Sequence, residues 1–143
     1  MRTSWIVVAL SLTFGACGGD DSPSSPSTAS TQPTTLNFSP TVSGYGYAIQ
    51  DVTAFQSAGQ VTATLRWNDS RKDLDLYWTN ALCVVEGDGF GGTGCQNIAR
   101  SVSDTGTSET VSGPLAAGST VRLFIINYDA TPEATTVVVN FRP

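Results

Sequence analysis

Residues 61–78 read Val-Thr-Ala-Thr-Leu-Arg-Trp-Asn-Asp-Ser-Arg-Lys-Asp-Leu-Asp-Leu-Tyr-Trp, and their alternation decides the fold class. Val61, Ala63, Leu65 and Trp67 take every second place among Thr62, Thr64 and Arg66, and Leu74, Leu76 and Trp78 do the same among Asp73, Asp75 and Tyr77. A period of two belongs to a strand with one buried face. The polar stretch Asn68 to Lys72 between the two runs predicts a turn, and with it a long β-hairpin.

Outward from this segment the chain continues in the same manner. Residues 121–128 (VRLFIINY) are apolar at both parities and predict a central strand; residues 135–141 (TTVVVNF) predict a last one. Between them lies turn chemistry, including Pro132, which has no place in a central strand. Upstream, residues 44–50 and 52–55 read as shorter strands and Ala58-Gly59 as a turn. Residues 101–111 read as a polar hairpin around Asp104-Thr105-Gly106, and 114–118 as a loop. No stretch carries an apolar stripe at helical spacing for three turns. About seven or eight short strands with frequent turns predict an all-β protein, an antiparallel β-sandwich.

The N-terminus predicts where the protein resides. Arg2, an apolar run of about ten residues ending at Phe14, and Gly15-Ala16 form a signal peptide over residues 1–16. The run is too short for the ~20 residues of a membrane span. Cys17 directly after the small residues resembles the bacterial lipobox, which implies that Cys17 is acylated and becomes the mature N-terminus. A plain signal peptide or a short membrane anchor with a chance cysteine is the alternative reading. Asp20 stands one position beyond the usual inner-membrane retention signal, so the expected address is the outer membrane of a bacterial envelope. Residues 17–35 hold no aromatic or large aliphatic side chain and read as a disordered Ser/Thr/Pro tether of about 25 Å end to end. The folding unit is then 36–143, one domain large enough for its own core.

Composition narrows the chemistry. Histidine is absent, which removes Ser-His-Asp and Cys-His nucleophiles and His-ligated zinc or copper. Lys72 is the single lysine, so a Ser-Lys mechanism has little to stand on. Once Arg2 leaves with the signal, six basic residues face twelve acidic ones, and no basic patch is visible. Nucleic acid is therefore not an expected partner. With Cys17 assigned to lipid, Cys83 and Cys95 remain in an oxidising compartment and are expected to form a disulfide. The segment between them holds five glycines. A zinc pair completed by carboxylates and a reactive thiol are the alternatives.

The run Ala58-Gly59-Gln60-Val61-Thr62-Ala63-Thr64-Leu65-Arg66-Trp67 followed by Asp73-Leu74-Asp75-Leu76-Tyr77 resembles the bacterial pre-peptidase C-terminal domain family, which pairs a Gly-led strand ending in L-x-W with a D-L-D-L-Y strand. Glu109-Thr110-Val111, residues 117–123 and residues 137–141 resemble its later strands in the same order. The resemblance implies a jelly-roll-like sandwich without catalytic residues, usually carried by secreted proteases, with collagen binding and calcium in some collagenase relatives. Here the lipid takes the protease's place. Residues 22–50 contain no Asp or Glu, whereas the calcium-binding relatives draw ligands from the corresponding segment.

Three sets of residues are candidate sites. Asn68, Asp69, Asp73 and Asp75 form the densest oxygen cluster and are calcium-ligand candidates, with a solvated strand face countered by Arg71 and Lys72 as the other reading. Glu86-Gly87-Asp88-Gly89 is oxygen-rich but lacks the order of an EF-hand. The glycine-rich loop reads as a recognition loop with Phe90 at its tip, and Tyr77 and Tyr128 as exposed polar-edged contacts, while Trp67 and Trp78 fall with the buried sets. No cofactor is required. The expected function is a non-catalytic envelope lipoprotein that binds an extracellular or periplasmic protein or polysaccharide. An accessory subunit of an envelope complex and a small hydrolase built on two carboxylates are the alternatives.

Overall fold

The computed structural model describes residues 32–53, 55–87 and 89–143. The signal peptide, Cys17 and the tether through residue 31 lie outside them. Among the described residues twelve strands follow in order: β1 Thr34–Phe38, β2 Thr41–Val42, β3 Gly46–Val52, β4 Gly59–Arg66, β5 Leu74–Asn80, β6 Val84–Glu86, β7 Gly89–Gly91, β8 Asn97–Ser101, β9 Ser108–Leu115, β10 Val121–Asn127, β11 Glu133–Ala134 and β12 Thr136–Arg142. β1 takes up Thr34 and Thr35, two residues that the composition had placed in the tether.

Two four-stranded antiparallel sheets, ordered β1-β12-β4-β9 and β3-β10-β5-β8, form the walls of a sandwich. With those eight strands counted in chain order, the first sheet runs first, eighth, third, sixth and the second runs second, seventh, fourth, fifth. This is the strand order of a jelly roll. Two short ribbons, β2-β11 and β6-β7, complete the fold.

The core is the layer between the sheets. Val61, Ala63 and Leu65 of β4 and Val137, Val139 and Phe141 of β12 face Leu74, Leu76 and Trp78 of β5 and Val121, Leu123 and Ile125 of β10. Trp67 and Trp78 are buried, as alternation places them. β10 is the central strand that its two apolar faces predict, paired with β3 on one side and β5 on the other.

The expected hairpins are not hairpins. β4 pairs with β12 and β9, and β5 with β10 and β8, so residues 67–73 cross from one sheet to the other. The two alternating runs meet face to face across the core instead of edge to edge. Residues 102–107 make the same kind of crossing, from β8 to β9. Both crossings hide apolar faces as a hairpin would, but on opposite walls of one core. The 67–73 connection is pinned by local chemistry: the Lys72 N–H donates to the Asp69 carbonyl, and Lys72 Nζ lies 3.1 Å from Glu133 while donating to the carbonyls of Thr131 and Pro132. Upstream, one continuous strand, β3, replaces the two short ones expected, and Gly59 opens β4 rather than closing a turn. β9 extends to Leu115, so Pro114 sits in an edge strand, where a missing N–H is tolerated.

Candidate ligand pocket on the outer face of the second sheet

The outer face of the β3-β10-β5-β8 sheet can be read row by row from strand register. Ile49, Phe124, Tyr77 and Arg100 form one row; Tyr47, Ile126 and Asp75 form the next; Asp51, Arg122 and Thr79 lie on the far side of the first. These are the residues a simple alternation would expose. Yet Phe124 and Thr79 are fully buried, and Ile126 and Asp75 are nearly so.

The cover is the disulfide segment. Cys83 and Cys95 are bonded, as expected. Between them β6 and β7 pair as a ribbon that lies on the sheet. Phe90 of β7 stacks on Phe124 with ring centroids 4.9 Å apart and meets Tyr77 edge-on at 5.1 Å. At the base, Arg122 Nη1 donates to the Cys83 carbonyl at 2.6 Å while its Nε and Nη2 clamp Asp51. Phe90 is thus the anchor of the ribbon, half-buried, and not the free tip of a recognition loop. The tip is Gly87, in the left-handed region at φ 59° that a turn of this kind demands.

Gly87 forms one wall of a pocket of about 450 Å³, lined otherwise, among the described residues, by Tyr45, Gly46, Tyr47, Ile126, Asn127 and Tyr128. Tyr47 comes from edge strand β3, Tyr128 follows β10, and Tyr45 stands in the turn before β3. Tyr45 is the one described non-glycine residue with positive φ, 46°, and it is 77% exposed. An exposed bulky residue in that region costs conformational energy and persists where its surroundings hold it. Here its N–H donates to the Asp129 carbonyl at 2.7 Å, and Gly44 beside it packs so closely on the Ala130 carbonyl that no Cβ would fit. The Asn127 side chain braces the same loop: Nδ2 donates to the carbonyls of Ser43 and Thr131, and Oδ1 accepts the Asp129 N–H.

Behind the pocket, Tyr77 donates its hydroxyl to Asp75 Oδ2 at 2.8 Å, and the nearby Tyr128 interacts with both. Burial raises the Asp75 pKa above the ordinary carboxylate value, and the two tyrosine hydroxyls offset part of that rise. Tyr77 is held far above the ordinary phenol value by burial and by its bond to Asp75. Tyr128 is 45% exposed, so one part of it belongs to this buried group and another to the pocket.

Of the ligand candidates named from sequence, Tyr77, Phe90 and Tyr128 therefore do come together, but in layers. Phe90 packs on Tyr77, Tyr77 donates to Asp75, and Tyr128 alone among them lines the pocket. Tyr45 and Tyr47 were not legible as site residues. Their only sequence signal was two tyrosines at i and i+2 beside glycines, which equally describes an ordinary edge strand.

The calcium candidates disperse. Asp69 is taken by Arg71, whose Nε and Nη2 reach its two oxygens at 2.9 and 2.8 Å, which holds its pKa at about 2. Asp75 accepts the Tyr77 hydroxyl. Asn68 contributes its N–H to Glu133. Asp73 keeps one oxygen buried without a partner, and burial together with Asp75, Asp104 and Asp129 raises its pKa. Among the described residues no three acidic, histidine or cysteine side chains form a group that could hold a metal ion. Nor is the outer side of β5 a solvated face, because the ribbon and the tyrosines cover it. A further acid, Glu109, is only 2% exposed and points inward from β9, where Ser101 donates to Oε2 and Oε1 has no partner.

No protein-family model and no curated protein matches the chain. Solved structures do resemble it. The pre-peptidase C-terminal domain of collagenase from Bacillus anthracis superposes with a TM-score of 0.51 at 12% identity over 74% of this chain and 87% of that one. A part of tripeptidyl peptidase 2 superposes with a TM-score of 0.52 at 10% identity, over 79% of this chain and 10% of that protein. At such identities the likeness is one of fold. The motifs behind the resemblance serve the same end: Leu65, Trp67, Leu74 and Leu76 are core residues.

Proposed function

We propose that this protein is a non-catalytic binding module, tethered to the outer membrane of a bacterial envelope through lipid on Cys17. It holds an extracellular or periplasmic protein or polysaccharide in the pocket between Tyr45, Tyr47 and Tyr128. The observation that carries this reading is the convergence of three polar-edged aromatic side chains on one concavity whose volume lies within the range of small-ligand sites. Amphipathic rings of this kind supply contact area together with a hydrogen-bonding edge. The backbone supports the same reading, since Tyr45 is kept exposed in an unfavourable conformation by the neighbouring loop that follows β10.

The full chain with Cys17→Ser provides a secreted, unlipidated form for the test. Passed over envelope extracts and polymer matrices, it is expected to be retained by a ligand, and Tyr47→Ala is expected to weaken retention at least about tenfold without lowering the melting temperature. Retention that is indifferent to both Tyr47→Ala and Tyr128→Ala would place the binding surface elsewhere.

A further inference from the structure

We propose that two copies of this chain pair through strand β3, edge to edge and antiparallel, so that their second sheets continue across a two-fold axis as one eight-stranded sheet. The inference stands apart from the binding reading above and holds whether or not the pocket takes a ligand.

The four edges of the sandwich are β1, β9, β3 and β8. Three of them carry features that discourage pairing. β1 is short and lies between Pro33 and Pro40. β9 holds Pro114. β8 bulges at Ile98, where Trp78 pairs with Ala99 and Thr79 with Asn97, and it carries the exposed Arg100. β3 has none of these. Its seven residues, Gly46–Val52, pair with β10 in unbroken register and include no proline, lysine or arginine. Among the described residues no strand takes its other side. Gln50 Nε2 donates to the Asp51 carbonyl near the end of the strand, and the middle of the edge is left to a further strand. Unpaired backbone N–H and C=O groups in such a row are a template for one.

Charge selects a second copy as the occupant. The chain carries a formal net charge of −5, so copies meeting at random repel. At β3 that repulsion is relieved. Its one carboxylate, Asp51, is clamped by Arg122, whose Nε and Nη2 lie 2.6 and 2.8 Å from its two oxygens. Antiparallel pairing centred on Ile49 sets that residue against its own copy and Asp51 against Tyr47, so no like charges face each other. Phe124 and Ile49, cross-strand partners in one copy, then continue into Ile49 and Phe124 of the other as a single apolar row. Tyr47 and Ile49 are 47% and 42% exposed, which is the surface this pairing covers. A two-fold axis perpendicular to the sheet keeps both outer faces on one side, so the pockets of the two copies open in the same direction.

Sedimentation equilibrium of the Cys17→Ser chain tests this. A reversible monomer–dimer equilibrium is expected, with a melting temperature that rises with protein concentration. Ile49→Lys and Ile49→Asp each place two like charges on the axis and remove apolar contact, and each should weaken the dimer at least about tenfold while the monomer stays folded. An equimolar mixture of the two variants should recover the dimer, because opposite charges then meet on the axis. A parent chain that is monomeric at every concentration, a dimer indifferent to Ile49→Lys, or folded variants that do not recover on mixing would overturn the inference. Hydrogen exchange on the parent chain decides even where a variant does not fold: β3 amides not bonded to β10 should gain protection as concentration rises. Protection already present in the monomer would assign the edge to another segment of the same chain, and protection that never appears would leave the edge open; either overturns the inference.

Discussion

The two sheets of the sandwich have the same inner face and opposite outer ones. On the β1-β12-β4-β9 sheet the outer side is a bare ladder of small hydroxyl and amide side chains, in which Thr62 meets Ser112, Thr64 meets Thr110, and Thr35 donates to Asn140. On the β3-β10-β5-β8 sheet the outer side carries Phe124, Ile126, Tyr77 and Asp75 under a disulfide-closed ribbon. One sheet is finished at its surface; the other needs a third layer, and the pocket opens where that layer ends at Gly87. Strand alternation builds the wall, whereas the departure from alternation builds the site.

That contrast can be broken most severely at the disulfide. Replacing Cys83 and Cys95 with serine should cost about 3 kcal/mol, the entropy of freeing a loop of this length in the unfolded state. Chemical denaturation reads the loss, and hydrogen exchange should show the β5 and β10 amides affected before those of β4 and β12. Phe90→Ala comes next, at about 2 kcal/mol, from lost burial and two aromatic contacts. Because the ribbon positions Gly87, ligand retention should fall with it, which a purely stabilising role would not require.

Acidity sharpens the comparison further. Asp73, Asp75 and Glu109 all have folded-state pKa values raised, chiefly by burial. In the window between the ordinary and the raised values the folded state holds more protons than the unfolded one, so stability increases as pH falls from neutral into that window. Asp51 and Asp69, with lowered values from Arg122 and Arg71, oppose this only at lower pH, when they protonate in turn. Melting temperature should therefore peak on the acid side of neutrality, and Glu109→Gln should flatten the rise. A profile unchanged by Glu109→Gln would mean that the carboxyl is not buried as described. The smallest effect is expected on the bare sheet: Thr64→Val should change stability by about 0.5 kcal/mol or less and leave ligand retention untouched.

Much of the wall was readable in advance. Leu65, Trp67, Leu74 and Trp78 declared their inward direction through a period of two, and residues 121–128 declared a central strand through apolar residues at both parities. Partners were not readable. A run such as 61–67 is satisfied equally by a neighbour beside it or a neighbour facing it, and only closure of the two-layer core chooses the second. The pocket was half legible: Tyr128 and Tyr77 were marked by chemistry, but Tyr45 and Tyr47 acquire meaning only when β3 is the edge beside β10 and the ribbon tip stands opposite. The engagement of the calcium candidates was hidden for a related reason. Proximity in sequence could not reveal that Arg71 would claim Asp69 and that Tyr77 would claim Asp75.

By itself, then, the sequence determined the class of fold, the composition of the core, the disulfide, and the exclusion of histidine chemistry, because each depends on residue type and local period. Tertiary structure alone decided which strands share a sheet, which outer face is covered, and which tyrosines converge. Those depend on contacts between residues far apart in the chain, such as Phe90 with Phe124, Arg122 with Cys83, and Tyr45 with Asp129. Their energies exist only once both partners are in place.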